Sequence, residues 1–189
     1  MSRAYRIQVS EGVQRIVHVE DGVQGTIEVL PILPPERMAE LLASELERRG
    51  FARPEQDGEA VMVRIGKENV TVEVNVRTGT VTVSIADDVT LELSAKAEAT
   101  AESPESARQE AERRLQHAID QKAAPLQDAA RQAATARLER ELAELRPELD
   151  AVVNAVTGEA LVEKARELGE IESIEGTVAD GTLTIKVRV

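Results

Sequence analysis

The sequence predicts an α+β fold: an antiparallel sheet with one packing helix, a helical hairpin or bundle as an insertion, and a C-terminal β-hairpin. Three observations predict it. Residues 60–94 alternate apolar and polar side chains, residues 35–49 carry apolar side chains at helical spacing, and from about residue 95 the composition turns to Ala, Glu, Arg, Leu and Gln. Period two with one apolar face marks strands that are wet on one side, and a long run of strong helix formers marks helices. At 189 residues the chain is long enough to bury a core in one or two domains.

Residues 3–33 read as strands. Val13, Ile16, Val17 and Val19 precede a turn predicted at Glu20-Asp21-Gly22, and Thr26, Ile27, Val29, Leu30 and Ile32 follow it. Both runs are rich in β-branched residues and bounded by turn formers. A helix then opens at Pro35, whose missing N–H costs nothing in a first turn. Met38, Leu41, Leu42 and Leu46 share one face, which leaves Glu40, Glu45, Glu47, Arg48 and Arg49 for solvent. Gly50 stops this helix and Phe51 packs back as an anchor.

The clearest stretch follows. Val61, Val63 and Ile65 alternate with other residues; so do Val70, Val72, Val74 and Val76, then Val81, Val83 and Ile85, then Val89, Leu91 and Leu93. The joints are Gly66-Lys67-Glu68-Asn69, Arg77-Thr78-Gly79 and Ala86-Asp87-Asp88, short enough for a four-stranded meander of hairpins. The 35–49 helix is its natural cover.

Ser103 is placed to cap a helix that has Pro104 at its first position. Leu138, Leu142, Leu145, Leu149, Val152 and Val156 step by four and three, a heptad seam. Pro125 and Pro147 predict two or three helices rather than one rod, and Thr157-Gly158 predicts a further break before a last helix that ends at Gly169. The tail is a hairpin. Ile171, Ile174 and Val178 precede Asp180-Gly181, and Leu183, Ile185, Val187 and Val189 alternate after it. A hairpin of this size needs something to pack on. The domain reading is therefore a sheet domain over 1–96, a coiled-coil-like helical segment over 97–170, and a hairpin over 171–189 that returns to the sheet.

Composition excludes much. A formal net charge of −12 argues against nucleic-acid backbones and against anionic membrane surfaces, which both need a basic footprint. No cysteine is present, so disulfides, thiolate metal sites and cysteine nucleophiles are out. No apolar h-region follows the basic N-terminus, and no run approaches a membrane span, so the expected location is cytoplasmic. Walker, Gly-x-Gly-x-x-Gly, Gly-x-Ser-x-Gly, His-Glu-x-x-His and EF-hand patterns are all missing.

His18, in a predicted strand, has no positioned partner in sequence and reads as an edge or interface residue rather than a general base. His117 reads as a solvated helix residue. Acidic pairs are abundant: Glu20-Asp21, Asp87-Asp88, Glu139-Glu141 and Glu144-Glu148. With 35 acidic residues such pairs arise by chance, so no metal ligands or cofactor are assigned. Tyr5 and Phe51 are the only aromatic residues, which disfavours modules that stack ligands on aromatic faces.

Three stretches together resemble a known family. They are Met1-Ser2-Arg3-Ala4-Tyr5-Arg6-Ile7 with Val17-His18-Val19-Glu20-Asp21; Leu30-Pro31-Ile32-Leu33-Pro34-Pro35-Glu36-Arg37-Met38 running to Arg49-Gly50-Phe51; and Ala160 to Gly169 with the terminal hairpin. They resemble a bacterial accessory family encoded beside MoxR- or FtsH-type AAA+ ATPases and von Willebrand A domain proteins in ternary systems. The resemblance covers both ends of the chain, not its Ala-rich middle. It implies a protein partner, a MoxR- or FtsH-type ATPase or a von Willebrand A protein, and it carries over no catalytic residue.

The resulting expectation is a non-enzymatic adaptor or scaffold. Leu138, Leu142, Leu145 and Leu149 are its candidate interface, unless the seam is the internal contact of a helical hairpin. The alternatives are a homo-oligomer joined through the helices, and a carboxylate-based metal-binding protein or enzyme.

Overall fold

A computed structural model describes residues 4–54 and 60–188. The fold is α+β. In chain order it runs β1 (Tyr5–Thr26), α1 (Pro35–Arg48), β2 (Val61–Ile65), β3 (Val70–Asn75), β4 (Thr80–Ala101), α2 (Pro104–Leu168), β5 (Glu170–Thr177) and β6 (Thr182–Arg188). The first four strands form an antiparallel sheet in the order β1-β4-β3-β2, and β5 pairs with β6 in a second sheet. The chain folds into two units. One comprises the described residues of 1–21 with Ala86–Ala136; the other comprises those of 22–85 with 137–189. The elements β1, β4 and α2 each contribute residues to both.

In the first unit, Leu91, Leu93 and Ala95 of β4 pack with Leu115, Ile119 and Ala123 of α2, and half-buried Val9, Val13 and Val17 of β1 complete the cluster. The backbone N–H of Ser106 donates to Ser103 Oγ (3.2 Å), the N-cap that the sequence predicts, with Pro104 next to it. Polar bonds fasten α2 to the strands. Arg15 pairs with Asp120 (2.7 Å), Thr135 Oγ1 donates to Asp21 Oδ2 (2.7 Å), and Arg114 donates to the Glu98 carbonyl (3.1 Å).

In the second unit, Val72 lies opposite Val83 and Val74 opposite Val81, all buried, so the predicted alternation is the observed core face. The Arg77-Thr78-Gly79 joint forms as expected. Asn75 Oδ1 accepts the backbone N–H groups of Arg77 (3.0 Å) and Thr78 (3.1 Å), and Gly79 sits at φ +69°, where a Cβ would run into the Ile27 carbonyl. Helix α1 buries Met38, Leu41, Leu42 and Leu46, each worth about 1.5–3 kcal/mol of apolar transfer. It ends in a Schellman motif. Phe51 N–H donates to the Leu46 carbonyl and Gly50 N–H to the Glu47 carbonyl, both 3.0 Å, with Gly50 at φ +85°. Phe51 is buried, the anchor that the sequence predicts.

Several expectations are corrected. No turn interrupts β1 at Glu20-Asp21-Gly22 or β4 at Ala86-Asp87-Asp88, because the two long strands pair with each other through these positions; His18 Nδ1 meets Asp88 Oδ1 at 2.9 Å across them. Residues 27–33 are not strand, whereas 95–101 are. The helical segment is no hairpin or bundle. Helix α2 runs 65 residues through Pro125, Pro147 and Thr157-Gly158. Thr157 is buried in the helix, not a cap at a break. Glu45 is buried rather than solvated, and it accepts from Arg48 (3.1 Å) and Arg49 (2.8 Å).

The hairpin does not return to the four-stranded sheet. Strand β5 starts directly after α2, and β5 and β6 pair only with each other among the described residues, with a bulge between Ile171 and Ser173. The expected contributions of Met1-Ser2-Arg3 and Val189 lie outside the described residues.

Candidate functional site

The second unit carries a groove of about 930 Å³. Its floor is one stripe of α2: Pro147, Ala151, Ala155, Gly158 and Val162, stepping 4, 4, 3, 4. This stripe lies about 100° round the helix from the buried Val152, Val156 and Ala160 face. Side chains this small leave the α2 backbone close to whatever occupies the groove. One wall is α1, through Arg37 and Leu41; the other is the β5–β6 turn, through Gly176–Ala179 and Leu183. Val178 Cγ2 lies 3.7 Å from where a Gly158 Cβ would stand, so the turn rests in van der Waals range of this point on the helix.

Ion pairs fix the α1 wall. Arg37 is bidentate to Glu163 (Nε–Oε1 2.8 Å, Nη2–Oε2 2.9 Å), and Arg48 reaches Glu159 (2.7 Å). The Arg37 hydrogen bonds hold the Glu163 carboxyl below the ordinary glutamate range. Asp150 stands towards one end of the groove and Arg166 at the other, about 24 Å apart along the helix. The groove thus combines an apolar floor with an acidic residue towards one end and a basic residue at the other.

A second clamp ties β2 to α2. Arg64 donates to both Glu148 oxygens (2.6 and 2.8 Å) and lies 4.5 Å over the centre of the Phe51 ring. Hydrogen bonding from Arg64 lowers the Glu148 pKa, against partial burial that raises it. A depressed folded-state pKa adds stability that is present above the unfolded value, about 4.3, and is lost as pH falls through the folded one. Glu148→Gln should therefore lower the melting temperature at pH 7 and change it little at pH 3. A thermal melt series against pH checks this; an equal loss at both pH values would contradict it.

The predicted seam residues do not form a surface. Leu138, Leu145 and Leu149 are buried and Leu142 is half-buried, and the last three of these line a narrow space with Val81 and Val83 of β4. The helix therefore uses the seam against its own sheet, not against a second helix.

His18 and Asp88 form an exposed pair whose hydrogen bond raises the His18 pKa. His117 Nε2 meets Gln121 at 2.9 Å on the exposed face of α2. The acidic pairs do not converge: among the described residues no three His, Cys, Asp or Glu side chains are grouped to hold a metal ion. No described helix is long and apolar enough to cross a membrane.

Sequence reasoning passed over the groove because it took Thr157-Gly158 as a helix end. The signal was present in the small residues at 151, 155 and 158, one face apart from the leucines.

Comparison with known proteins adds one match. A family model described as FtsH ternary system domain X5 matches residues 1–189. No curated protein matches, and no solved structure does.

Proposed function

Because the chain belongs to the FtsH ternary system domain X5 family, we propose that it serves as a non-enzymatic adaptor, an accessory component that docks on the AAA+ ATPase of its system. The observation that carries this reading is the groove on α2. Its apolar floor supports docking of an amphipathic helix from the ATPase component, because the small residues Ala151, Ala155 and Gly158 on one stripe allow close helix approach. Charge favours one direction. Helices tend to be acidic at their N-terminus and basic at their C-terminus, so the docked helix sets its N-terminus by Arg166 and its C-terminus by Asp150, antiparallel to α2. A von Willebrand A protein of the same system is the second partner in this reading.

The test is capture of the tagged chain from its native host, with and without a slowly hydrolysed ATP analogue, followed by mass spectrometry. Stoichiometric AAA+ ATPase is expected with the natural chain. It should be lost with Ala155→Arg, which fills the groove from a half-buried position on its floor and should leave the melting temperature near that of the natural chain. Recovery of the chain alone under both nucleotide conditions would overturn the adaptor reading.

A further inference from the structure

The outer edge of β1 is a long template for a further strand. In the sheet order β1-β4-β3-β2 this strand is an edge, paired with β4 alone. It runs 22 residues and contains no proline and no lysine, the residues that commonly guard an edge against pairing. Its inward apolar side chains are also only partly covered. Ile7, Val9, Val13 and Val17 are half-buried, whereas Leu91, Leu93 and Ala95 on the neighbouring strand β4 are buried. The missing cover is what a further strand would provide.

The sequence of the strand specifies which one. If a second copy of β1 is laid antiparallel with Val13 opposite Val13, then Val9 faces Val17, Ile7 faces Val19, Glu11 faces Arg15 and Arg6 faces Glu20. Val13 meets its own copy once, on the two-fold axis, and each of the other four pairs occurs twice about it. Ile7, Val9, Val13, Val17 and Val19 all meet apolar partners, and both kinds of charged pair join opposite signs. A slip of two residues either way sets Arg15 opposite Val9 or Val13 and Glu11 opposite Val13 or Val17, so the register is selected against its neighbours. Within the chain Arg6 already holds Glu98 and Arg15 already holds Asp120. A guanidinium carries five N–H donors, so each can take a second carboxylate.

We propose that β1 is the homodimer interface of this protein, joining two copies edge to edge about a two-fold axis at Val13. This rests on the strand alone and stands whether or not the groove binds an ATPase.

The chain has no cysteine, so single cysteines report the register directly. Opposed Cα atoms in an antiparallel pair lie about 4.5–5.5 Å apart, within the span of a disulfide. Under mild oxidation Val13→Cys should cross-link to itself. Val9→Cys and Val17→Cys should each stay uncrosslinked alone and cross-link when mixed. Light scattering on a size-exclusion column should give twice the 20.5 kDa chain mass for the natural protein and the single mass for Glu11→Arg/Glu20→Arg, which sets arginine against arginine at all four charged pairs. A single-chain mass for the natural protein would overturn the proposal, as would a double mass that survives the charge reversal, or self-cross-linking by Val9→Cys.

Discussion

Leu145→Asp is expected to unfold the second unit rather than to remove a binding surface. Leu145 is 2% exposed and lies on the α2 face turned to β4, beside Val81 and Val83. Truncating a buried leucine costs about 2–5 kcal/mol from lost transfer and the cavity left behind. An aspartate at the same place must in addition ionise in an apolar environment or be protonated to avoid it, which adds several kcal/mol more. The sum rivals the whole stability of a domain, about 5–15 kcal/mol. Leu142→Asp, at a half-buried position, should cost much less. Urea titration followed by circular dichroism separates the two. A natural-looking transition for Leu145→Asp would mean that the seam faces solvent.

Pro125→Ala is expected to do the opposite and raise stability. Helix α2 passes through Pro125 without ending, although proline withholds an N–H from the Gln121 carbonyl and its ring crowds that carbonyl. Proline costs about 3 kcal/mol relative to alanine inside a helix. The side chain at 125 is exposed, so alanine gives up no packing and restores the missing hydrogen bond. The gain should be a large share of that figure and appear as a rise of several degrees in the melting temperature. Pro147 makes the same argument but also lines the groove, so Pro125 is the cleaner site. An unchanged or lowered melting temperature would show that the chain turns at Pro125.

Both corrections to the strands were legible in a signal that turn chemistry overrode. The inward positions of β4, Val81, Val83, Ile85, Val89, Leu91, Leu93, Ala95 and Ala99, are all odd-numbered, and the phase does not change across Ala86-Asp87-Asp88. In β1 the apolar residues keep one parity from Val9 through Val19 to Val23 across Glu20-Asp21-Gly22, although Val23 itself is exposed. A chain that kept its pleat kept its strand. The acids that read as turn formers serve as side-chain partners instead: Asp21 accepts from Thr135 and Asp88 meets His18. Helix α2 repeats the lesson at another period. Buried Ala123 and Ala134 are eleven residues apart, about three turns, so the buried face resumes in phase beyond Pro125; Leu145 and Leu149 do the same across Pro147.

The parts that sequence placed well are those where local chemistry and tertiary packing agree. The α1 face, its Gly50-Phe51 ending, the β3 alternation, the Gly79 turn and the Ser103 cap each rest on residues that have one good local use. Strand β2 is a correction: Met62 is its buried side chain, opposite Val74, whereas Val61 and Val63 are half-buried and Ile65 is exposed, because pairing with β3 sets the phase. The groove had no such signature. It depends on where α1 and the β5–β6 turn lie along α2, and no local pattern carries that long-range fact. The leucine seam was found correctly as an apolar stripe, but periodicity alone does not distinguish a helix that faces a sheet from one that faces another helix.

In the proposed function, the α2 groove docks the AAA+ ATPase of the ternary system. The most direct test of this docking is calorimetric titration of the purified ATPase component with the natural chain and with Ala155→Arg. Saturable binding by the natural chain, weakened at least tenfold by Ala155→Arg with the melting temperature kept, is the predicted result. Equal affinity for both proteins would place the contact elsewhere, and no binding by the natural chain would contradict the adaptor account itself.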